Sequence, residues 1–145
     1  MPPNLISARL LICEKILVEM DGVLSAIRLV DVFYFSAPPE IPREQIVVPM
    51  FILATGYFLS PDDSKHSLEL RLIRPDGEST AFFTQNDVVA ALPGIAGVPR
   101  GFSVVASVSV AAKQIGTHYV SAVLDGEEVA RGAFTLLEQP QKPVG

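Results

Sequence analysis

Hydrophobic and polar residues alternate along much of the second half of the chain. In "HSLELRLIR" the side chains of Leu68, Leu70 and Leu72 fall on one side, and Ser67, Glu69 and Arg71 fall on the other. The segment "FSVVASVSVAA" repeats the pattern with valine and alanine against serine. A period of two is the side-chain period of a β-strand with one buried face. The pattern therefore predicts strands that cover a core on one face and meet water on the other.

The first half of the chain is apolar on both faces of its predicted strands. One strand is predicted from Ser7 to Glu19 and its hairpin partner from Val23 to Phe35, a segment rich in residues that suit a pleated surface. We expect this hairpin to be central in its sheet. The next apolar run, from Ile46 to Phe58, contains Pro49, which cannot donate to a sheet ladder. That strand is therefore predicted to lie at an edge or to bulge.

The dipeptide Asp-Gly stands between apolar runs at Asp21-Gly22, Asp76-Gly77 and Asp125-Gly126. Glycine adopts the positive φ of tight hairpin turns, and aspartate tolerates the neighbouring position, so each dipeptide predicts a hairpin. In the third hairpin we expect Tyr119 to be buried, whereas Glu127, Glu128 and Arg131 should be solvated surface.

Turn signals at this spacing predict about eight short strands arranged as an antiparallel β-sandwich of the Ig-like or Greek-key type. A small closed barrel is the alternative. The proline-rich segments "SAPPEIPREQ" and "LPGIAGVPRG" are predicted loops, and at most one short helical turn is expected, between Asn86 and Leu92. Residues 1–138 are predicted to form one domain and residues 139–145 a flexible tail.

Composition predicts a folded chain and restricts its partners. Hydrophobic residues make up 49% of the chain and charged residues 19%, which is unlike disordered sequences. The net charge is -5 and the lysines and arginines form no cluster, so we expect no nucleic-acid binding. The single cysteine, Cys13, cannot form an internal disulfide, which favours a reducing, cytoplasmic location. The most apolar stretch is shorter than the roughly 20 residues of a membrane-spanning helix, so no span is expected.

Residues that could support catalysis are few. His66 and His118 are the two histidines, and we expect each to be solvated or hydrogen-bonded; Cys13 is expected to be a buried structural thiol. The chain contains no CxxC, HxH or HExxH spacing and no GxSxG turn. We therefore expect no enzyme, no catalytic residue, no metal site and no cofactor.

Acidic residues at turns allow an alternative prediction, a calcium site. Asp62 and Asp63 in one loop, together with the three turn aspartates, would supply oxygen ligands for calcium if they met at one end of a sandwich. The competing interpretation is that aspartate favours turns for backbone reasons.

Two groups of residues predict a candidate partner surface. One group is charged and lies within apolar strands. The other is apolar and lies within a glycine- and proline-rich connection. The charges form either a salt bridge across the first hairpin or a polar spot that a partner covers. The apolar loop residues either pack under the end of the sandwich or mark a binding site. The candidate partner surface consists of Glu14, Arg28, Asp31, Leu92, Ile95 and Val98.

The runs "LLICEKILVEMDGVLSAIRLVDVFYF" and "GTHYVSAVLDGEEV" resemble a family of small bacterial proteins that carry one domain of unknown function. The resemblance spans most of the chain and rests on turns, strands and a Gly-x-x-Tyr strand entry. It implies a compact cytoplasmic β-sandwich of bacterial origin and supplies no catalytic or binding residues.

These features favour a non-enzymatic protein-binding or assembly module whose edge strands pair with a protein partner or a second copy. The alternative is a ligand-binding sandwich that holds calcium or a small polar molecule at its loop end.

Overall fold

Strands make up 76% of the described chain, which confirms the predicted fold class. The computed structural model describes residues 5–18, 20, 24–29, 31–58, 65–89 and 100–139. The strands are β1 (Leu5–Val18), β2 (Leu24–Leu29), β3 (Val32–Phe35), β4 (Val47–Phe58), β5 (His66–Ile73), β6 (Ser79–Val88), β7 (Arg100–Ala111), β8 (Gly116–Leu124) and β9 (Glu127–Glu138). A short 3-10 helix at Arg43–Gln45 precedes β4.

The strands form two sheets. The four-stranded sheet has the order β2-β1-β4-β7, and the five-stranded sheet has the order β3-β9-β8-β5-β6. Neighbouring strands are antiparallel except for β3 and β9, which run parallel. Among the described strands no ladder joins the two sheets, and the two share one core, so the fold is a sandwich rather than a barrel.

Alternate residues of both sheets fill the space between them, as the sequence pattern predicts. Leu68, Leu70 and Leu72 of β5 are buried, while Ser67 on the same strand is exposed. The largest side chains of the core that are fully buried include Phe58, Phe134, Met50, Ile52, Leu68, Leu70, Leu124 and Leu136. The core therefore lies along the whole length of the central strands.

The strand predicted from Val23 to Phe35 is divided between the two sheets. Its first part, β2, pairs with β1, and its second part, β3, pairs with β9. At the crossing, the carbonyl oxygen of Asp31 accepts a hydrogen bond from the Thr135 backbone N–H at 2.8 Å. The first hairpin therefore has β2 at the edge of its sheet, so it is not central as predicted.

Pro49 lies in an interior strand, contrary to the prediction of an edge or bulged strand, and the ladder shows why it is tolerated. The N–H of Ala112 donates to the carbonyl of Ile46 at 2.8 Å, so even-numbered residues of β4 face β7 with their backbone groups. The nitrogen of Pro49 therefore points towards the β1 side. Pairing of β1 with β4 ends at Cys13 and Phe51, two residue pairs before the position of Pro49.

Two of the predicted Asp-Gly turns are confirmed. Asp125 and Gly126 both have positive φ, 50° and 85°, as a type I′ hairpin turn requires. Gly77 joins β5 to β6 with a φ of 89°. Asp21-Gly22 lies outside the described residues, between two strands that pair antiparallel as predicted.

The helical turn predicted between Asn86 and Leu92 is wrong for its described part. Asn86 lies in β6, and Asp87 next to it has a φ of 69° where the pairing with β5 shifts register. The local signal that suggested a cap therefore marks a β-bulge.

Candidate functional site

His118 is a buried residue of β8. Its side chain is stacked on Phe134 with ring centroids 5.0 Å apart, and its Nδ1 lies 3.0 Å from the Gly116 carbonyl oxygen. Only 1% of the residue is exposed. Burial lowers the pKa of His118 because the charged imidazolium would lose its hydration. The predicted hydrogen bond is present, but the ring belongs to the core rather than to a solvent-facing site.

His66 is also buried, at the opposite end of the sandwich from the Asp76-Gly77 turn. Its ring stacks on Phe58 at 4.7 Å, and Nδ1 lies 2.6 Å from Oδ2 of Asp125. The other oxygen of Asp125 accepts a hydrogen bond from the Ser67 N–H at 2.9 Å. The Asp125 carboxylate therefore joins the β8–β9 turn to the start of β5.

Cys13 is fully buried in β1, as predicted. Its Sγ lies 3.6 Å from the carbonyl oxygen of Phe51. Burial raises the pKa of the thiol because the thiolate would lose its hydration, and this opposes nucleophilic chemistry.

The two turn aspartates that the structure describes, Asp76 and Asp125, do not lie at the same end of the sandwich. Asp76 follows β5 and Asp125 packs against its start, so the two lie at opposite ends of that strand. The Asp76 carboxylate accepts hydrogen bonds from the Glu78 N–H at 2.8 Å and the Gln114 side-chain amide at 2.7 Å. In the part of the chain that the structure describes, no three His, Cys, Asp or Glu residues are placed to share a metal ion. Asp21, Asp62 and Asp63 lie outside that part.

Tyr119 is not buried as predicted. It lies on the outer face of β8 with 38% of its surface exposed, and the Arg131 guanidinium sits 5.4 Å from its ring centroid. Arg131 also pairs with Glu128 at 2.8 Å, and Glu128 accepts a hydrogen bond from the Ser121 hydroxyl at 2.6 Å. This exposed group confirms that Glu128 and Arg131 are surface residues.

The candidate partner surface is only partly within the described chain. Glu14 is exposed on β1, and Asp31 is exposed at the crossing between the sheets. The structure describes the backbone of Arg28, which lies in β2, but not its side chain. Leu92, Ile95 and Val98 lie outside the described residues.

Asp31 borders a cavity of about 420 Å³, which we call the lateral groove. The groove is lined by residues 10–12 of β1, Leu29, Asp31, Gly132 and Ala133. A Cβ atom on Gly132 would lie 2.8 Å from Cδ2 of Leu10, so the absence of a side chain lets β1 and β9 approach. A glycine inside an apolar strand was the available sequence signal for this approach.

Two strand edges flank the lateral groove. β2 pairs with β1 only from Cys13 onwards, and β3 pairs with β9 only from Thr135 onwards. Among the described strands, none pairs with residues 5–12 of β1 or residues 127–134 of β9 on this side.

A longer edge lies on the opposite side of the sandwich, on β7. β7 pairs with β4 from Arg100 to Ala111 without a register shift, and no described strand pairs with its other edge. From Gly101 to Ala111 the strand contains no charged residue and no proline. Natural edge strands are normally blunted by charge, proline or bulges. Within the described part of the chain, the outer edge of β7 therefore has the features of a pairing surface.

The ladder also shows which residues of β7 offer their backbone to this edge. Ala112 donates towards β4, and hydrogen-bonded positions alternate along an antiparallel pair. Ser103, Val105, Ser107 and Ser109 therefore direct their N–H and C=O groups away from β4. The alternation of serine with valine and alanine predicts this strand but does not indicate that it lies at an edge.

No protein-family model and no curated protein sequence matches the chain. Among solved structures, the fold is similar to that of the Pseudomonas fluorescens alkylpurine DNA glycosylase AlkC bound to DNA containing an abasic site analog. The TM-score is 0.45 and the identity 13%, over 73% of this chain. The chain spans 27% of the length of that protein.

This similarity runs against two sequence predictions, that the chain is not an enzyme and that it does not bind nucleic acid. The similar structure is a DNA glycosylase in complex with DNA, so both predictions are withdrawn. At this level of similarity, neither activity is transferred to this chain. Within the described residues, the structure holds no helix long and apolar enough to cross a membrane.

Proposed function

We propose that this chain is a protein-binding or assembly module that pairs with a second copy by adding β7 to β7. The observation that carries the proposal is the edge of β7, which is regular from Arg100 to Ala111 and uncharged after Arg100. Addition of a strand to such an edge uses main-chain hydrogen bonds for affinity and alternate side chains for specificity.

The sequence of β7 is complementary to itself. In an antiparallel pair centred on Ala106, Ser103 lies opposite Ser109 of the second copy and Val105 lies opposite its Ser107. No charged side chain opposes another in this register, so no like-charge repulsion arises within the pair.

The added strand would also cover apolar surface. Val105 on the outer face of β7 is 39% exposed, and Val108 on its inner face is only half-buried. Across the core, Phe83 of β6 faces inwards opposite Leu70 and is likewise half-buried. These side chains leave the core incompletely covered on the side where the new strand would lie.

The solution mass of the purified chain, measured by light scattering, tests this proposal. We expect the wild-type protein to be a dimer and Ser107→Pro to be a monomer, because proline removes an N–H that points to the free edge. Val105→Lys should also be monomeric, since it brings two like charges into the pair.

Ser107→Ala is the matched control, because it keeps the backbone donor and should remain a dimer. Far-ultraviolet circular dichroism establishes that each variant is folded. A monomeric wild-type protein, or a folded Ser107→Pro dimer, contradicts the proposal.

The proposal extends to the setting of the protein. A cytoplasmic location is supported by the single buried cysteine. Membership of a bacterial family of small single-domain proteins is supported by the motifs that resemble that family.

A further inference from the structure

We infer that the lateral groove binds an extended segment of a partner protein that presents a lysine or arginine to Asp31. The groove lies beside β1 and β9, on the opposite side of the sandwich from β7. This inference is therefore independent of pairing through β7.

The backbone of β9 is oriented for strand addition at the groove. The Thr135 N–H donates to the Asp31 carbonyl oxygen at 2.8 Å. Backbone groups two residues apart along a strand point to the same side, so the N–H of Ala133 also points towards the groove. A segment entering there would continue the position that β3 occupies beside the last part of β9.

The edge of β1 faces the same space. Odd-numbered residues of β4 face β1 with their backbone groups, and Leu11 lies opposite Leu53. The neighbouring residues Leu10 and Ile12 therefore direct their backbone groups away from β4, towards the groove. The segment can take hydrogen bonds from either sheet without opening the sandwich.

The floor of the groove suits apolar side chains of an extended chain. Leu29 is 63% exposed, and Leu10 is half-buried against the core. The volume of about 420 Å³ lies within the roughly 300–1000 Å³ that is usual for binding sites. Alternate residues of a strand would point into this floor and exclude water from it.

Asp31 gives the groove its charge selectivity. It is the one charged side chain among the described residues that line the cavity. A carboxylate beside apolar walls favours a lysine or arginine and disfavours an acidic residue. Strand β7 carries no cation between Gly101 and Ala111. Because Arg100, its first residue, is the one cation of β7, we infer that the segment comes from a different protein rather than from the middle of β7 of a second copy.

Calorimetric titration with synthetic peptides tests the inference. The probes are acetylated and amidated octapeptides of alternating threonine and valine, with one lysine at each position in turn, and matched peptides with glutamate in place of lysine. We expect at least one lysine peptide to bind the wild-type protein more tightly than its glutamate twin. Asp31→Asn should reduce affinity for that peptide about twofold to fivefold, as is usual for exposed ion pairs, and should abolish the preference for lysine.

Ala133→Pro removes the backbone donor at the groove and should weaken binding of both peptides about tenfold or more. Ala133→Ser keeps the donor and should bind as the wild type does. Ser107→Pro, on β7, should leave peptide binding unchanged even where it abolishes dimers. Circular dichroism confirms that each variant is folded.

The inference is overturned if no peptide binds, or if Asp31→Asn keeps the preference for lysine. It is also overturned if folded Ala133→Pro binds normally, or if butylamine alone displaces the peptide at equal concentration, which would indicate a small-amine site.

Discussion

At the scale of single residues, His118 makes the stability of the fold sensitive to pH. Its pKa is lowered because the ring is buried against Phe134, while the unfolded chain has the usual value near 6.5. The unfolded state therefore binds more protons in this range, so the stability contributed by His118 is present above about pH 6.5 and is lost as pH falls below it.

We expect the free energy of unfolding to fall by at most about 1.4 kcal/mol per pH unit through this residue. Urea denaturation at a series of pH values from neutral downwards measures the slope. His118→Gln should reduce this slope. An unchanged slope in the variant would show that His118 does not cause the dependence.

The sequence predicted correctly that Cys13 is a buried thiol, but it did not predict that His66 and His118 are buried. His66 and His118 lie in polar or strand-opening contexts, which suggested solvent or a simple hydrogen bond. Their stacking partners, Phe58 and Phe134, come from other strands and become neighbours only when the strands pair. Burial of a single polar residue depends on such contacts, and local sequence does not contain them.

At the scale of elements, the hairpin of β8 and β9 depends on its turn. Gly126 has a φ of 85°, and nothing lies within 4 Å of the position that a Cβ would take. Gly126→Val should therefore destabilise the protein by about 1–2 kcal/mol through backbone strain alone.

Gly126→Asn is the matched control, because asparagine tolerates the left-handed region and should cost clearly less. Urea denaturation of the two variants and the wild type measures both effects. Equal losses would show that the positive φ is not the cause.

Strand positions were predictable from alternation, but their order in the sheets was not. The leucines of β5 and the valines of β7 have the predicted period of two, and both strands are where the pattern puts them. The crossing at Asp31 has no glycine or proline to mark it, so the sequence predicted one strand where there are two. Pro49 predicted that β4 is an edge strand, but β4 lies between β1 and β7. The proline is tolerated there because the described pairing of β1 with β4 ends before Pro49.

At the scale of the whole molecule, net charge affects the two proposed interactions in opposite ways. Each copy carries a net charge of -5, so two copies repel each other, and salt weakens that repulsion. We expect the dissociation constant of the dimer to fall when ionic strength rises from about 10 mM to about 150 mM, where the screening length shrinks from roughly 30 Å to roughly 8 Å.

Binding of a lysine peptide to the lateral groove should weaken over the same range, because Asp31 attracts it. Light scattering and calorimetry at the two ionic strengths measure both trends. A dimer that weakens with salt would contradict the charge argument.

The functional surfaces were less predictable than the fold for a reason that acts at this scale. An edge is defined by what does not pair with it, and that depends on the order of all the strands. Asp31 belongs to the predicted partner surface and lines the lateral groove. Gly132, which also lines the groove, and the outer edge of β7 were not part of the predicted surface.

The parallel pair of β3 and β9 has a consequence for how the protein is made. Strand β3 is translated about 100 residues before its partner residues in β9, Thr135 to Glu138. Until those residues leave the ribosome, Phe33 and Phe35 have no sheet to join, and their aromatic surface is available to chaperones. Such long-range pairing also slows folding. The five-stranded sheet is therefore completed only after synthesis has passed β9.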